Sequence, residues 1–314
     1  MGGSGGGVFG GEYTNPDKYK EIIEESRKKT HDEQFETTVN GMINERVSDS
    51  QRDTDNTREH LDDINEVLEE DEIGTIEMRF GGSVNKHTYV DDLSDVDVLV
   101  IINKTELSDA SPKEVLNYIK TKIQESRLRN IDEISIGKLA VTVIFSDGEE
   151  IQLLPAIKKS EGYKIPSKGE NEWSNVVRPD KFAAKLKDAN QNCGGKVYSV
   201  IKIVKNINSR LPKDQQLKGY HIESLAVEVF KNYPESCSKT PKVMLKYFFE
   251  HAKDIVKTPI TDKTNQSIHV DDYLGPENSQ KRYRVGYTLG RVWKRMKNAD
   301  EIKSVEEWES ILDD

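Results

Sequence analysis

Apolar residues recur every three or four positions in the first quarter of the chain, the spacing that one buried face of a helix produces. The segment Lys18 to Lys29 fits a short helix, and a longer helical stretch follows from about Asp32 to Glu70. Its middle, Ser48 to Glu59, is almost wholly polar. The pattern therefore allows one long helix that crosses solvent or two helices with a break, and we favour one long helix.

Short apolar runs in the next part of the chain predict β-strands over residues 75–80, 95–102, 134–145 and 149–157. An amphipathic helix over residues 111–125, opened by Ser111-Pro112, separates the second strand from the third. The pair Asp147-Gly148 is a strong hairpin signal between the last two strands. Strands that alternate with helices predict an α/β fold with a mixed sheet.

The second half of the chain has helical spacing throughout, and predicts helices over residues 179–190, 196–209, 221–232, 240–256, 279–298 and 305–312. Before it, residues 160–178 have the glycines and proline of a loop. The order predicts a bilobed protein in three parts. These are a flexible glycine-rich tail over residues 1–17, an α/β core over 18–170 and a helical domain over 171–314.

Composition narrows the class of protein. The chain has 314 residues, of which 34% are hydrophobic and 32% charged, and no apolar run is long enough to cross a bilayer. Its two cysteines, Cys193 and Cys237, exclude a disulfide framework and a zinc module of the usual spacing, so we expect a cytoplasmic protein. The formal charge of −10 favours nucleotide or other small substrates over a long nucleic acid.

The candidate chemistry lies in two motifs that follow one another, the turn Gly81-Gly82-Ser83 and the strand entry Asp95-Val96-Asp97. Residues two apart in a strand share a face, so Asp95 and Asp97 are predicted side by side with Val96 turned to the core. Two carboxylates at this spacing suit Mg²⁺. Glycines let the backbone approach an anionic ligand, and Ser83 adds a hydroxyl donor.

Either motif alone is common, but the two in this order, followed by Ile151-Gln-Leu-Leu-Pro-Ala156 and a helical half, resemble the bacterial CD-NTases. Those are nucleotidyltransferases similar to cGAS and oligoadenylate synthetase, which make oligonucleotide second messengers in CBASS anti-phage defence. The resemblance implies a polymerase-β-like core with a long spine helix and an oligoadenylate-synthetase-like helical C-terminal domain.

The same resemblance implies an activity. A ribose hydroxyl attacks the α-phosphate of a ribonucleoside triphosphate, pyrophosphate leaves, and a cyclic or linear product forms, with Mg²⁺ or Mn²⁺ as cofactor. ATP is the first substrate to expect. The resemblance also implies an RNA or protein activator, a downstream effector that receives the product, and no membrane partner.

Site residues follow from the resemblance by position. It implies catalytic, metal-binding carboxylates, a turn that holds the triphosphate, helical lysines that contact phosphates and a tyrosine that stacks on a base. The matching residues are Asp95, Asp97, Gly82, Ser83, Lys196, Lys202 and Tyr220. The alternative for Lys202 is a solvated helix charge, and for Tyr220 a place in the helical core.

One position departs from the family pattern. Gln152 stands where a third carboxylate is usual, and an amide can offer an oxygen to a metal ion but no charge. Glu150, on the same strand face, is a candidate substitute ligand. Three readings stay open: an enzyme that works with the aspartates and a helper, a nucleotidyltransferase that modifies a protein, an RNA end or a small molecule, and a catalytically weak or silent nucleotide- or RNA-binding sensor.

Two further features have a plain interpretation beside a functional one. His87 lies in the loop between the motifs and is interpreted as a surface histidine rather than a base. The basic and aromatic run from Lys281 to Lys297 is either a nucleic-acid surface or the solvated face of a terminal helix. In the second case its apolar residues face the core: Val285, Leu289, Val292 and Met296.

Overall fold

The computed structural model describes residues 16–49, 54–69, 74–88, 96–128, 130–167, 171–262 and 268–313. The first half contains α1 (Pro16–Asp49), α2 (Thr54–Glu69), β1 (Gly74–Phe80), α3 (Gly82–Asn85), β2 (Val96–Thr105), α4 (Pro112–Glu125), β3 (Ile131–Ile136), β4 (Val141–Phe145), β5 (Glu150–Lys159) and β6 (Gly162–Lys164). The second half contains α5 (Pro179–Asn192), α6 (Val197–Ser209), α7 (Gly219–Phe230), α8 (Pro241–Ile255), α9 (Gln280–Ile302) and α10 (Val305–Asp313).

The strands form one mixed sheet in the order β1-β2-β5-β4-β3, with β6 paired to the far end of β5. Strands β2 and β5 run parallel, and the other neighbouring pairs run antiparallel. One face of the sheet is apolar, because alternate residues such as Val96, Val98 and Leu153 are fully buried against α2 and α4. The prediction of an α/β core with a mixed sheet is confirmed.

A second hydrophobic core joins α1 to the helices of the second half. Phe35, Val39 and Ile43 of α1 are buried in the same cluster as Phe248 and Trp308. The long helix expected from the resemblance is therefore present, and it packs on the helical half although it precedes the sheet in sequence. We call α1 with α5–α10 the helical lobe, and the sheet with α2, α3 and α4 the sheet lobe.

Helices α5–α10 agree with the predicted ones within a few residues, and Ser111 caps α4 as its sequence indicated. Its hydroxyl accepts from the Glu114 backbone N–H, and the Glu114 carboxylate accepts from the Ser111 backbone N–H at 2.8 Å. None of the described helices combines the length and apolarity needed to cross a membrane.

Two predicted elements had wrong boundaries, and the predicted loop over residues 160–178 contains the short strand β6. The break between Lys29 and Asp32 does not exist, because α1 runs on through Thr30, whose hydroxyl bonds back to the Ser26 carbonyl at 2.9 Å. The predicted strand 134–145 is a hairpin, β3 and β4, which turns where Gly137 N–H donates to the Ala140 carbonyl at 2.8 Å. The question of one long helix or two falls on residues 50–53, which lie outside the described residues.

Candidate active site

A cleft with a volume of about 790 Å³ lies between the two lobes. The sheet lobe supplies the Gly-Ser turn, a lysine that follows it and the aspartate of β2. The helical lobe supplies two aromatic rings, a lysine and a glutamate. In chain order these lining residues are Gly82, Ser83, Lys86, Asp97, Phe182, Lys205, Tyr220 and Glu223. The structure therefore brings together four predicted site residues: Gly82, Ser83, Asp97 and Tyr220.

The turn and the carboxylate are in direct contact. Gly81 N–H donates to the Asp97 carbonyl at 2.7 Å. Gly82 has a positive φ of +47°, and a Cβ built on it would lie 1.6 Å from Asp97 Oδ2. Only glycine fits there, because a side chain would both strain the backbone and collide with the carboxylate. Asp95 lies outside the described residues, so its metal-binding role stays a prediction.

Gln152 lies beside Asp97, because the two are partners in the parallel pairing of β2 with β5. Both are half-buried, whereas Ile151 and Leu153 are fully buried on the opposite face. The Gln152 side-chain amide donates to Glu150 Oε1 at 3.3 Å. The Asp97 and Gln152 side chains therefore lie on the same face of neighbouring strands, with Glu150 hydrogen bonded to Gln152.

The helical lysines are placed differently along α6. Lys205 lines the cleft and is buried, whereas Lys202, one turn earlier, is half-buried. Burial lowers the pKa of Lys202, and the nearby Lys205 charge lowers it further. Lys196 immediately precedes α6, about 13 Å along the axis from Lys205 at 1.5 Å per residue. The phosphate roles of Lys196 and Lys202 stay predictions, and Lys205 is the lysine of this helix that lines the cleft.

Tyr220 is half-buried at the start of α7 and lines the cleft. Its ring meets Phe182 edge-on, with centroids 4.8 Å apart, and its hydroxyl donates to Asp262 Oδ1 at 3.0 Å. The next residue, His221, is fully buried, lies 2.9 Å from the Tyr273 hydroxyl, and has its pKa lowered to about 4 by burial. These contacts hold the start of α7, and with it the Tyr220 ring, at the cleft wall.

The sequence of this region matches one family model. Residues 30–190 match the Second Messenger Oligonucleotide or Dinucleotide Synthetase domain, a match that includes the second part of α1, the whole sheet and most of α5. The chain belongs to this family. It is therefore a nucleotidyltransferase of the bacterial CD-NTase class, as the Gly-Ser and Asp-x-Asp motifs predicted. No curated protein matches the chain.

Solved structures with the same fold include CdnC of E. coli MS115-1 in a HORMA complex, with a TM-score of 0.66 and 14% identity over 87% of this chain and 96% of that one. CD-NTase CdnG of Bradyrhizobium diazoefficiens with GTP has a TM-score of 0.66 and 10% identity over 87% and 94%. Vibrio cholerae DncV cyclic AMP-GMP synthase has a TM-score of 0.60 and 10% identity over 95% and 89%. The likeness covers both lobes and confirms the fold.

Sequence reasoning missed several residues that line the cleft of this CD-NTase, namely Lys86, Phe182, Lys205 and Glu223. A spacing signal existed for most of them. Lys86 follows Ser83 by three residues, Lys205 follows Lys202 by three, and Glu223 follows Tyr220 by three. In a helix or tight turn such spacing returns a side chain to the same side.

The histidines and acidic groups outside the cleft have structural explanations. His87 is exposed, as its interpretation as a surface histidine required. Among the described residues, a trio that could hold a metal ion lies at the turn between β4 and β5, made by His60, Asp147 and Glu149. His60 Nε2 lies 2.8 Å from Asp147 Oδ2, and Asn56 donates to the same oxygen at 2.7 Å. We interpret the trio as a clamp between α2 and the hairpin.

The basic run of α9 lies on the exposed face of an amphipathic helix. Its apolar residues, Val285, Leu289, Val292 and Met296, are buried in the helical lobe. The opposite face is exposed and carries Tyr283, Arg284, Tyr287, Arg291 and Lys294. We call these five residues the α9 face; Tyr283 and Tyr287 are 54% and 69% exposed.

We expect Tyr220→Ala to weaken ATP binding about tenfold or more, because stacking on a base is worth about 1–3 kcal/mol. Tyr220→Phe is the matched control, since it keeps the ring and loses the hydroxyl that bonds to Asp262. Affinity for a non-hydrolysable ATP analogue, measured by calorimetry beside the melting temperature, checks this. An alanine variant that binds the analogue normally but melts early would place Tyr220 in the core instead.

Proposed function

We propose that this CD-NTase joins ribonucleoside triphosphates into a cyclic or linear oligonucleotide second messenger for anti-phage defence. The observation that carries the proposal is the contact of Gly82 with the Asp97 carboxylate in a cleft whose other wall presents Tyr220 and Lys205. It puts a backbone turn for phosphates, a carboxylate and an aromatic ring around one space of nucleotide size.

Each part of the cleft then has a task in the reaction. The Gly82-Ser83 turn and Lys205 bind the triphosphate, and the Tyr220 ring stacks on its base. Bound in this way, the α-phosphate lies in line with a ribose hydroxyl of a second nucleotide. Attack joins that oxygen to the α-phosphorus while the hydroxyl loses its proton to solvent. The bond from the α-phosphorus to the oxygen that bridges it to the β-phosphorus breaks, so pyrophosphate leaves. The contribution of these residues is position and charge compensation.

The donor set beside the turn fits a hard divalent cation. Asp97, Gln152 and Glu150 lie near the starts of the neighbouring strands β2 and β5. Their side chains carry carboxylate and amide oxygens, which are the ligands that Mg²⁺ and Mn²⁺ take. We propose that Asp97 holds the ion together with Asp95, and that Gln152 or Glu150 completes the protein ligands. When bound, the ion would neutralise charge on the phosphates and polarise the attacking hydroxyl.

The readings of Gln152 make different predictions. We expect Gln152→Asp to keep or raise the rate of pyrophosphate release and to shift the Mg²⁺/Mn²⁺ preference, because a charged oxygen binds a hard ion better than an amide oxygen does. Gln152→Glu is made beside it, since glutamate has the same reach as glutamine. If Glu150 is the substitute ligand, Glu150→Gln should lower the rate about tenfold or more, with partial rescue by Gln152→Asp. An unchanged rate in Glu150→Gln would leave the aspartates sufficient.

Partners follow from the same proposal. The substrates are ribonucleoside triphosphates, with ATP first, the product passes to a downstream effector, and the location is cytoplasmic. An RNA or protein activator is part of the proposal, and the α9 face is the surface that a polyanion would contact. The α9 face is connected to the cleft through one ion pair, in which Arg284 lies 2.7 Å from Asp214. Asp214 lies in the connection between α6 and α7, the helices that carry Lys205 and Tyr220.

The experiment that tests the function uses all four labelled ribonucleoside triphosphates with Mg²⁺ or Mn²⁺, each reaction with and without added RNA, followed by mass spectrometry of the products. A phosphodiester-linked oligonucleotide with released pyrophosphate is the expected result. Nucleotide joined to an end of the added RNA would favour the transferase that modifies another substrate. Binding of ATP without any product, in every combination, would favour the silent sensor, for which Gln152 is the specific observation.

A further inference from the structure

Glu223 of α7 is a carboxylate buried at the meeting point of the two lobes, with 1% of the residue exposed. Its Oε1 accepts from Lys205 Nζ at 3.0 Å and from the Thr88 hydroxyl at 2.5 Å. Its Oε2 accepts from Lys86 Nζ. Both oxygens of the buried carboxylate are therefore occupied by donors from other segments.

The groups around Glu223 belong to three separate parts of the chain. Lys86 and Thr88 follow the Gly-Ser turn of the sheet lobe, Lys205 lies on α6, and Glu223 lies on α7. Lys205 Nζ also donates to the Thr88 carbonyl at 2.8 Å. Glu223 is thus the point where the segment after the phosphate-binding turn is fastened to the helical lobe.

Both lysines line the cleft together with Ser83 and Asp97. Lys86 Nζ also lies 5.4 Å from the centroid of the Tyr220 ring and 5.5 Å from that of Phe182. Lys86, Lys205 and Glu223 by themselves carry a formal charge of +1. Glu223 therefore does not cancel the charge that the two lysines offer to a phosphate.

The charge of Lys205 depends on its neighbours. Burial lowers its pKa, and so does the Lys86 ammonium, whereas Glu223 and Asp97 raise it. Lys202, one turn away, is a further cation beside it. Burial would raise the pKa of Glu223, but Lys86 and Lys205 outweigh it, and the pKa of the carboxyl lies below its usual value. Glu223 is the charged partner to which Lys205 is directly hydrogen bonded.

We propose that Glu223 is a positioning residue for the nucleotide: its buried carboxylate holds the Lys86 and Lys205 ammonium groups directed into the cleft, where both contact the triphosphate, and its hydrogen bond to Lys205 keeps that lysine charged. The proposal rests on the proposed function, because it takes the ligand to be a nucleoside triphosphate. The alternative is a clamp that only holds the lobes together. A clamp would affect stability, but it would not affect the pH at which triphosphate binding is lost.

The test measures the affinity of the folded natural protein and of Glu223→Gln for a non-hydrolysable ATP analogue between pH 6 and 9.5, with adenosine as the ligand without phosphates. The affinity for the analogue falls as pH rises, because Lys205 loses its proton. Without Glu223 the pKa of Lys205 drops further, so the midpoint of this loss moves down by about one pH unit or more. Adenosine affinity keeps the same pH profile in both proteins.

Two arginine variants separate charge from packing. A guanidinium stays protonated across this range, so Lys205→Arg flattens the pH profile with Glu223 still in place, and Lys205→Arg added to Glu223→Gln removes the shifted midpoint. Lys205→Arg also serves as the test if Glu223→Gln fails to fold, judged by near-ultraviolet circular dichroism. An unaltered pH profile in Lys205→Arg or in folded Glu223→Gln overturns the proposal. A natural protein that binds the analogue no more tightly than adenosine at any pH contradicts the proposed function instead.

Discussion

Replacing Asp97 by asparagine is expected to lower the rate of nucleotide transfer about a thousandfold, since a bound metal ion contributes several kcal/mol to the transition state and each 1.4 kcal/mol is about tenfold. Asparagine has the same shape, so the strand and the contact with Gly82 keep their packing. The variant should therefore fold normally. Pyrophosphate release under saturating ATP, measured beside the melting temperature, checks both parts of the expectation.

The matched control is Asp180→Asn, which removes a carboxylate from the same cleft at an exposed position in the first turn of α5. If the lower rate of Asp97→Asn came only from the loss of a negative charge in the cleft, the two variants would have the same rate. We expect Asp180→Asn to stay within about threefold of the natural rate, because an exposed charge is screened by solvent. Normal turnover in Asp97→Asn would contradict its assignment as a metal-binding residue.

The position of Asp97 could be predicted from sequence because it follows from one local rule. Val96 and Val98 are both fully buried, so the residue between them must point away from that core and towards the cleft. The end of the preceding strand could also be predicted locally, because the glycines mark the turn. The two-residue period of a strand and the glycine turn signal were therefore sufficient to predict this half of the site.

The other half of the site could not be predicted in this way, because no period connects its members. Lys86 and Glu223 are 137 residues apart and meet only because the helical lobe closes over the turn. The same limit applies to α1, whose burial against Trp308 joins the two ends of the chain. Helical spacing gave the buried face of α1, but the partner of that face depends on how the lobes assemble.

The second large effect is expected from Gly82→Ala, which should lower transfer about a hundredfold or more, because a catalytic group displaced by about 1 Å costs that much. The added Cβ would lie 1.6 Å from Asp97 Oδ2 and 2.8 Å from the Asp97 Cβ, so rotation of the carboxylate alone does not relieve the clash. Either the turn or the start of β2 must move. The measurement is pyrophosphate release against ATP concentration, with kcat and KM determined separately.

Two glycines serve as controls for the two parts of this effect. Gly148 also has a positive φ, +88°, but a Cβ there meets nothing within 4 Å. Gly148→Ala therefore reports backbone strain alone. We expect it to cost about 1–2 kcal/mol of stability with little change in kcat. Gly81, in the same turn as Gly82, would place a Cβ at ordinary contact distances of 3.5–3.6 Å, so Gly81→Ala should stay active. If Gly82→Ala loses only as much activity as Gly148→Ala, the contact with Asp97 does not position the carboxylate. A low kcat in Gly82→Ala, with kcat close to the natural value in Gly148→Ala and Gly81→Ala, is the expected result, because strain is common to Gly82→Ala and Gly148→Ala and the collision with Asp97 is not.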